Sequence, residues 1–152
     1  MTTRPMIAVL CLVGLPTLVY SQEPAKPYVP GLGEFMTLTQ LRHAKLWFAG
    51  KAKNWDLAAY EIDELKEGLE DAAKLYPMHD GLPVGEMIKA NVMAPLNELG
   101  KVAEAKEAAR FDAAFDQLTA ACNTCHVGTK HAFIKIQRPT LPPVTNQNFD
   151  LK

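Results

Sequence analysis

Cysteine is scarce in this chain of 152 residues, which contains only three. Cys11 lies in an apolar run near the N-terminus, so Cys122 and Cys125 are the two that remain in the rest of the chain. A surplus of basic residues is also lacking, because 16 Lys and Arg face 17 Asp and Glu. Proteins that bind nucleic acid need such a surplus to neutralise phosphates. The charge balance therefore argues against nucleic acid as a partner.

Several other patterns are missing from the sequence. No segment alternates apolar and polar residues in the way a half-buried strand does. There is no Gly-rich phosphate loop, and no nucleophile with a matching base is recognisable. We therefore expect an all-α protein that is not an enzyme.

Residues 1–21 have the features of a secretory signal peptide. Arg4 precedes an apolar run that Pro16 interrupts, and Val19 and Ser21 supply small residues where a signal peptidase cleaves. The run is short for a membrane span, although an uncleaved anchor is the alternative interpretation. We expect cleavage after Ser21, export to the periplasm, and no stable membrane insertion of the mature chain.

The remaining chain predicts four amphipathic helices between two Pro-rich ends. Residues 22–32 form a Pro-rich arm, and residues 132–152 an irregular tail that lacks a helical period. Helix 1 is predicted from residue 33 until Gly50 ends it, and helix 2 from the N-cap Asn54. Helix 3 begins near residue 83, and its join to helix 4 is placed at residues 105–107. Short connections of this kind predict an antiparallel up-down-up-down four-helix bundle over residues 33–131.

The sequence C-N-T-C-H, residues 122 to 126, is the segment most suggestive of function. A thioredoxin-like redox pair would lie at a helix N-terminus, whereas this pair falls late in a helix. A structural zinc site needs four ligands, and completing one with His126 and His131 would require an unusual spacing. A disulfide between Cys122 and Cys125 would close a small, strained ring.

The histidine that follows the second cysteine favours a fourth chemistry, because C-x-x-C-H is the attachment sequence of c-type haem. On a helix, Cys122, Cys125 and His126 share one face. Both thiols can then form thioethers with one haem, and the imidazole can ligate its iron. The export signal agrees, since such haem is attached outside the bacterial cytoplasm. We expect one covalent haem c, with His126 as the proximal ligand.

The position of the motif resembles that in the class II c-type cytochromes, which comprise cytochrome c prime and its low-spin relatives. In that family C-x-x-C-H lies late in the fourth helix, and here no Met follows His126. Lys130 matches a basic residue that the family often has four places after this histidine. Thr129 departs from the aromatic residue often found before it. The resemblance covers residues 33 to about 130 and implies a monohaem bundle, often a homodimer.

The second axial ligand of the iron decides between two functions. The start of helix 1 should lie near the end of helix 4, and the low-spin relatives take a distal Met from there, so Met36 is the favoured ligand. His43, Met87 or no ligand at all are the alternatives. A six-coordinate haem favours electron transfer between periplasmic redox proteins. A five-coordinate haem would bind a diatomic gas such as NO or CO.

Three further residues are expected near the haem. Phe115 and Leu118 precede the motif by one to two turns and should line its pocket. Lys130, together with Lys135 and Arg138, forms a small basic patch. This patch is either a solvated part of the tail, a contact for a haem propionate, or a docking site for an acidic redox partner.

Overall fold

The computed structural model describes residues 25–150, so the predicted signal peptide lies outside the described residues. Four helices follow one another along the chain: α1 Leu32–Lys51, α2 Trp55–Leu75, α3 Val84–Glu104 and α4 Ala108–Gly128. Each helix packs on its neighbours, and residues 25–150 contain no strand. The predicted all-α, up-down-up-down four-helix bundle is confirmed. Within residues 25–150, no helix combines the length and the apolar character that crossing a bilayer requires.

Helix α2 begins and packs as its sequence predicts. The Asn54 side chain accepts a hydrogen bond from the Leu57 amide at 3.2 Å, which satisfies one of the unpaired donors of the first turn. Asp56 lies in that turn, where a negative charge is favourable. The apolar seam that repeats every three to four residues is buried against the other helices; its buried members are Ala58, Ile62, Leu65, Leu69 and Ala72.

Gly50 does not end α1, contrary to the prediction. The helix continues to Lys51, and the chain turns at Lys53, whose φ is 56°. A β-carbon at Gly50 would lie 2.0 Å from the Phe111 ring, so glycine is required here for a close helix contact. Lys106 and Lys130 adopt the same left-handed conformation after α3 and α4, with φ of 57° and 65°. Lysine therefore takes the place that glycine commonly has after a helix.

A buried charged group ties α1 to α2. Glu61 on α2 is fully buried, and its carboxylate faces two cations of α1. Arg42 Nη1 lies 3.3 Å from Glu61 Oε2, and the Lys45 ammonium contacts Oε1. A buried carboxylate must be paired in this way to be tolerated. The pairing holds α1 in a defined register, and α1 carries Met36 and His43.

The C-terminal tail is irregular, as expected, but it is docked along the seam between α1 and α4. Arg138 forms a two-pronged ion pair with Asp116 of α4 at 2.6 Å and lies 4.7 Å from the centre of the Trp47 ring of α1. Further along, Phe149 is buried and packs on Phe48 with ring centres 5.6 Å apart. The tail therefore returns from the end of α4 toward its beginning.

Candidate functional site

A cavity of about 420 Å³ opens at one end of the bundle. It lies where the start of α1, the turn between α2 and α3, and the end of α4 come together, as the antiparallel topology predicts. Its volume falls within the roughly 300–1,000 Å³ typical of small-molecule and cofactor sites. Most of its wall is apolar; the buried or partly buried aliphatic side chains there are Leu32, Leu69, Leu82, Val84, Ile88 and Val92.

The α4 wall of the cavity carries all three chemically reactive residues of the C-N-T-C-H motif. Cys122, Cys125 and His126 line it together, and no disulfide joins the two cysteines in this structure. Burial, and then the neighbouring Cys125, raise the pKa of the Cys122 thiol to about 11. Burial also raises the pKa of Cys125. Thiols that exchange disulfides have lowered pKa values, so these two lack the activation that a redox pair needs.

His126 is held in a defined tautomer. Its Nδ1 lies 2.8 Å from the carbonyl oxygen of Ile134 in the tail. A carbonyl oxygen only accepts hydrogen bonds, so Nδ1 carries a proton, and in the neutral imidazole the lone pair is then on Nε2. Metal-ligating histidines commonly have this arrangement, in which a carbonyl or carboxylate accepts the proton of the second ring nitrogen.

The α1 wall carries both candidate distal ligands on that helix, Met36 and His43. Met36 is partly buried and packs on the core. His43 is 4% exposed, and its ring lies 4.3 Å from that of Phe115. Its Nε2 is 2.9 Å from Thr119 Oγ1. Since the Thr119 hydroxyl already donates to the Phe115 carbonyl at 2.9 Å, Nε2 is the donor to Thr119.

Burial also changes the pKa of His43. Loss of solvent lowers the pKa of its imidazole to about 4. The ring is therefore neutral at physiological pH. An imidazole whose Nε2 proton is already bound to Thr119 is better suited to a structural role in the core than to iron ligation.

The other candidates near this end of the bundle are less favourably placed. Met87 is not among the cavity-lining residues; its Cε lies 2.6 Å from where a β-carbon of Gly128 would be. His79 lines the cavity, with its Nε2 3.8 Å from the Asp80 carboxylate. His131 also lines it, and its Nδ1 bonds the Thr129 carbonyl at 2.8 Å.

Phe115 and Leu118 do not line the cavity, which corrects the expectation that both do. They are 0% and 2% exposed and belong to the core beyond it. The reason is that α1 fills the intervening space: His43 and Trp47 pack directly on Phe115, with ring centres 4.3 and 4.9 Å away. Phe115 therefore reaches the cavity only through His43.

Lys130 is also absent from the cavity lining. Its side chain is exposed, and its backbone forms the turn that ends α4. Arg138, the third member of the proposed basic patch, is engaged by Asp116 at 2.6 Å. Lys130 and Lys135 are the exposed cations that remain beside the motif.

Sequence reasoning missed the contribution of the tail to the site. Ile134 and Ile136 both line the cavity, and the Ile134 carbonyl is the partner of His126. The segment A-F-I-K-I is the most apolar part of the tail, and that composition was the available signal. Thr119, which is hydrogen-bonded to His43, could not have been identified from the sequence, because a single threonine on a helix has no distinctive pattern.

The donor set fits a covalently attached haem. Two thiols and an imidazole whose Nδ1 bonds a carbonyl lie along one cavity wall, and the Met36 thioether lines the same cavity. Among residues 25–150 no group of three or more His, Cys, Asp or Glu side chains is arranged to hold a bare metal ion. No family model matches the chain, and no curated protein or solved structure is significantly similar to it.

Proposed function

We propose that this protein is an exported, monohaem c-type cytochrome that carries single electrons between periplasmic redox proteins. Cys122 and Cys125 are the thioether anchors, His126 is the proximal ligand and Met36 the distal one. One observation is the main support for this assignment. All four side chains line a single cavity, and a carbonyl holds His126 in the tautomer that an iron ligand requires.

Each part of the cavity has a task in this function. The haem iron supplies the one-electron redox couple when the group is bound. The two thiols would hold the group on α4, and the His126 imidazole and the Met36 thioether would ligate its iron. The aliphatic wall from α2 and α3 would limit contact between the group and water, which lowers the local polarity. Two protein ligands and an apolar wall would suit electron transfer rather than reaction with ligands.

The surface beside the motif supports a protein partner. Val127 is 63% and Phe133 81% exposed. Lys130 and Lys135 are exposed on either side of Phe133 in the chain. Exposed apolar side chains with lysines close to them in the chain fit an acidic partner, because opposite charges speed the encounter. We take these residues as the docking surface for an acidic redox protein.

A gas-binding protein of the cytochrome c prime kind is the second candidate. The observation that favours it is the aliphatic wall of Leu69, Ile88 and Val92, which offers apolar space within the same cavity. In that case Met36 is a packing residue, as most helical methionines are. A thiol-exchange or metal-binding module without haem is a third class, and the raised pKa values of both thiols disfavour it.

Absorption spectra of the protein, produced with haem-attachment machinery, test the proposal. We expect covalently bound haem, a low-spin spectrum in both oxidation states, a methionine-to-iron band in the ferric form, and no change when CO is added to the ferrous form. Replacing Met36 by Ala removes the thioether, so this variant should become high-spin and bind CO.

Met87→Ala is the matched control, because Met87 lies near the same end of the bundle but outside the cavity lining. Its spectrum should remain that of the wild type. A Met36→Ala variant with an unchanged spectrum would refute the distal assignment. A high-spin wild type that binds CO would instead establish the gas-binding function.

A further inference from the structure

Asn123, the first variable residue of the C-N-T-C-H motif, makes contacts that haem attachment does not require. Its side-chain amide donates to the Ile136 carbonyl at 2.9 Å, and its oxygen accepts from the Ile136 amide at 2.8 Å. The two residues are 13 positions apart in the chain. Both bonds form only with the side-chain amide in this orientation, so the pair acts as a two-point clamp on the tail.

The clamped segment is the one that contacts His126. After Lys130 reverses the chain direction, the His131 amide donates to the His126 carbonyl at 2.7 Å, and the Ile134 amide to the His131 carbonyl at 2.8 Å. These bonds form a tight fold after α4. Ile134 lies two residues before Ile136, so the clamp on Ile136 restrains the carbonyl that accepts the His126 Nδ1 proton.

We propose that Asn123 is a positioning residue that tunes the proximal ligand through the tail. It holds the Ile134 carbonyl against His126 Nδ1, which orients the imidazole and makes Nε2 a stronger electron donor. A stronger donor stabilises the ferric form and lowers the reduction potential. This inference rests on the proposed cytochrome function, and it assigns to the tail a part in setting the potential.

The test compares two neighbouring variable residues of the motif. Asn123→Leu keeps the size of the side chain and removes both hydrogen bonds to Ile136. Thr124→Ala is the matched control, because the Thr124 hydroxyl bonds only the Ala120 carbonyl of its own helix, at 3.0 Å. Covalent haem is verified by mass, and the reduction potential is measured by spectroelectrochemical titration. Exchange of the His126 Nδ1 proton is followed by NMR in the ferrous protein.

We expect Asn123→Leu to shift the ferric–ferrous equilibrium about tenfold toward the ferrous form, the lower end of what such outer partners contribute. For one electron this is a rise of about 59 mV. The Nδ1 proton should exchange faster. Thr124→Ala should retain the wild-type potential and exchange rate.

Ile136→Pro provides a second route, since it removes the amide that donates to Asn123 without altering the motif. It should raise the potential in the same direction as Asn123→Leu. If haem is attached and both variants keep the wild-type potential, the positioning role is refuted while the cytochrome function stands. A wild-type chain that acquires no covalent haem refutes the proposed function, and the inference with it.

Discussion

His43 should make the bundle sensitive to acid, because its imidazole is buried without a charged partner. In the unfolded chain this group has its ordinary pKa of 6.5, and in the folded chain burial lowers the pKa to about 4. Below pH 6.5 the unfolded state therefore binds a proton that the folded state rejects, which favours unfolding. The stability associated with neutral His43 is complete above pH 6.5 and declines as the pH falls toward 4.

The size of the effect follows from the two pKa values. Their difference corresponds to roughly 3 kcal/mol of unfolding free energy once the pH is at or below 4. About 2 kcal/mol of this should be lost between pH 7 and pH 5. For a domain of this size, such a loss is a considerable fraction of the total stability, which is on the order of 5–15 kcal/mol.

Denaturant titrations at pH 7, 6 and 5, followed by helical circular dichroism, measure this loss. The wild type is compared with His43→Gln, which cannot titrate but retains an amide that can donate to Thr119. Other groups that titrate in this range are common to both proteins, so the difference between the two slopes isolates His43.

Between pH 7 and pH 5, the free energy of unfolding of His43→Gln should fall by about 2 kcal/mol less than that of the wild type. Parallel pH curves for the wild type and His43→Gln would refute the reasoning, because they would mean that His43 is hydrated or already charged in the folded state.

Two predictions concern packing, and both are measured by chemical unfolding. Gly50→Ala should destabilise the bundle by about 1–3 kcal/mol, because the added methyl group overlaps the Phe111 ring. Gly68→Ala is its control: the added methyl group meets no atom within 4 Å, and this variant should be more stable by up to about 1 kcal/mol. Phe149→Ala should cost about 2 kcal/mol and make the tail sensitive to proteases, whereas Leu141→Ala, at a site that is 78% exposed, should change stability by less than about 0.5 kcal/mol. A Gly50→Ala variant as stable as the wild type, or a protease-resistant tail in Phe149→Ala, would contradict these contacts.

The helices could be predicted from sequence because their signals are local. Asn54 caps α2 and the apolar seam is buried, as periodicity requires. The break between α3 and α4 falls at the predicted residues although the surrounding residues all favour helix; Lys106 adopts the left-handed conformation there. Gly50 was misinterpreted because a glycine near a helix end has two uses, as a cap and as a point of close approach. Only the position of Phe111 distinguishes them.

The motif could be recognised in the sequence, but the surroundings of the motif could not. The three reactive residues lie within one helix turn, so their shared face follows from helix geometry. The partner of His126 depends instead on how the tail folds back. The separation of Phe115 from the cavity depends on two aromatic rings of α1. Contacts between distant segments of this kind have no local sequence signal.

The C-terminal tail lies over the part of the bundle where two neighbouring helices are in least contact. Among neighbouring helices α1 and α4 touch least, and the cavity lies between their ends. A seam with few contacts between its two helices leaves apolar surface uncovered along its length, which is unfavourable in water. Arg138 lying over Trp47, and Phe149 buried against Phe48, cover that surface with residues from outside the helices. The same segment presents its Ile134 carbonyl to His126, so the docked tail both covers the seam and orients the His126 imidazole.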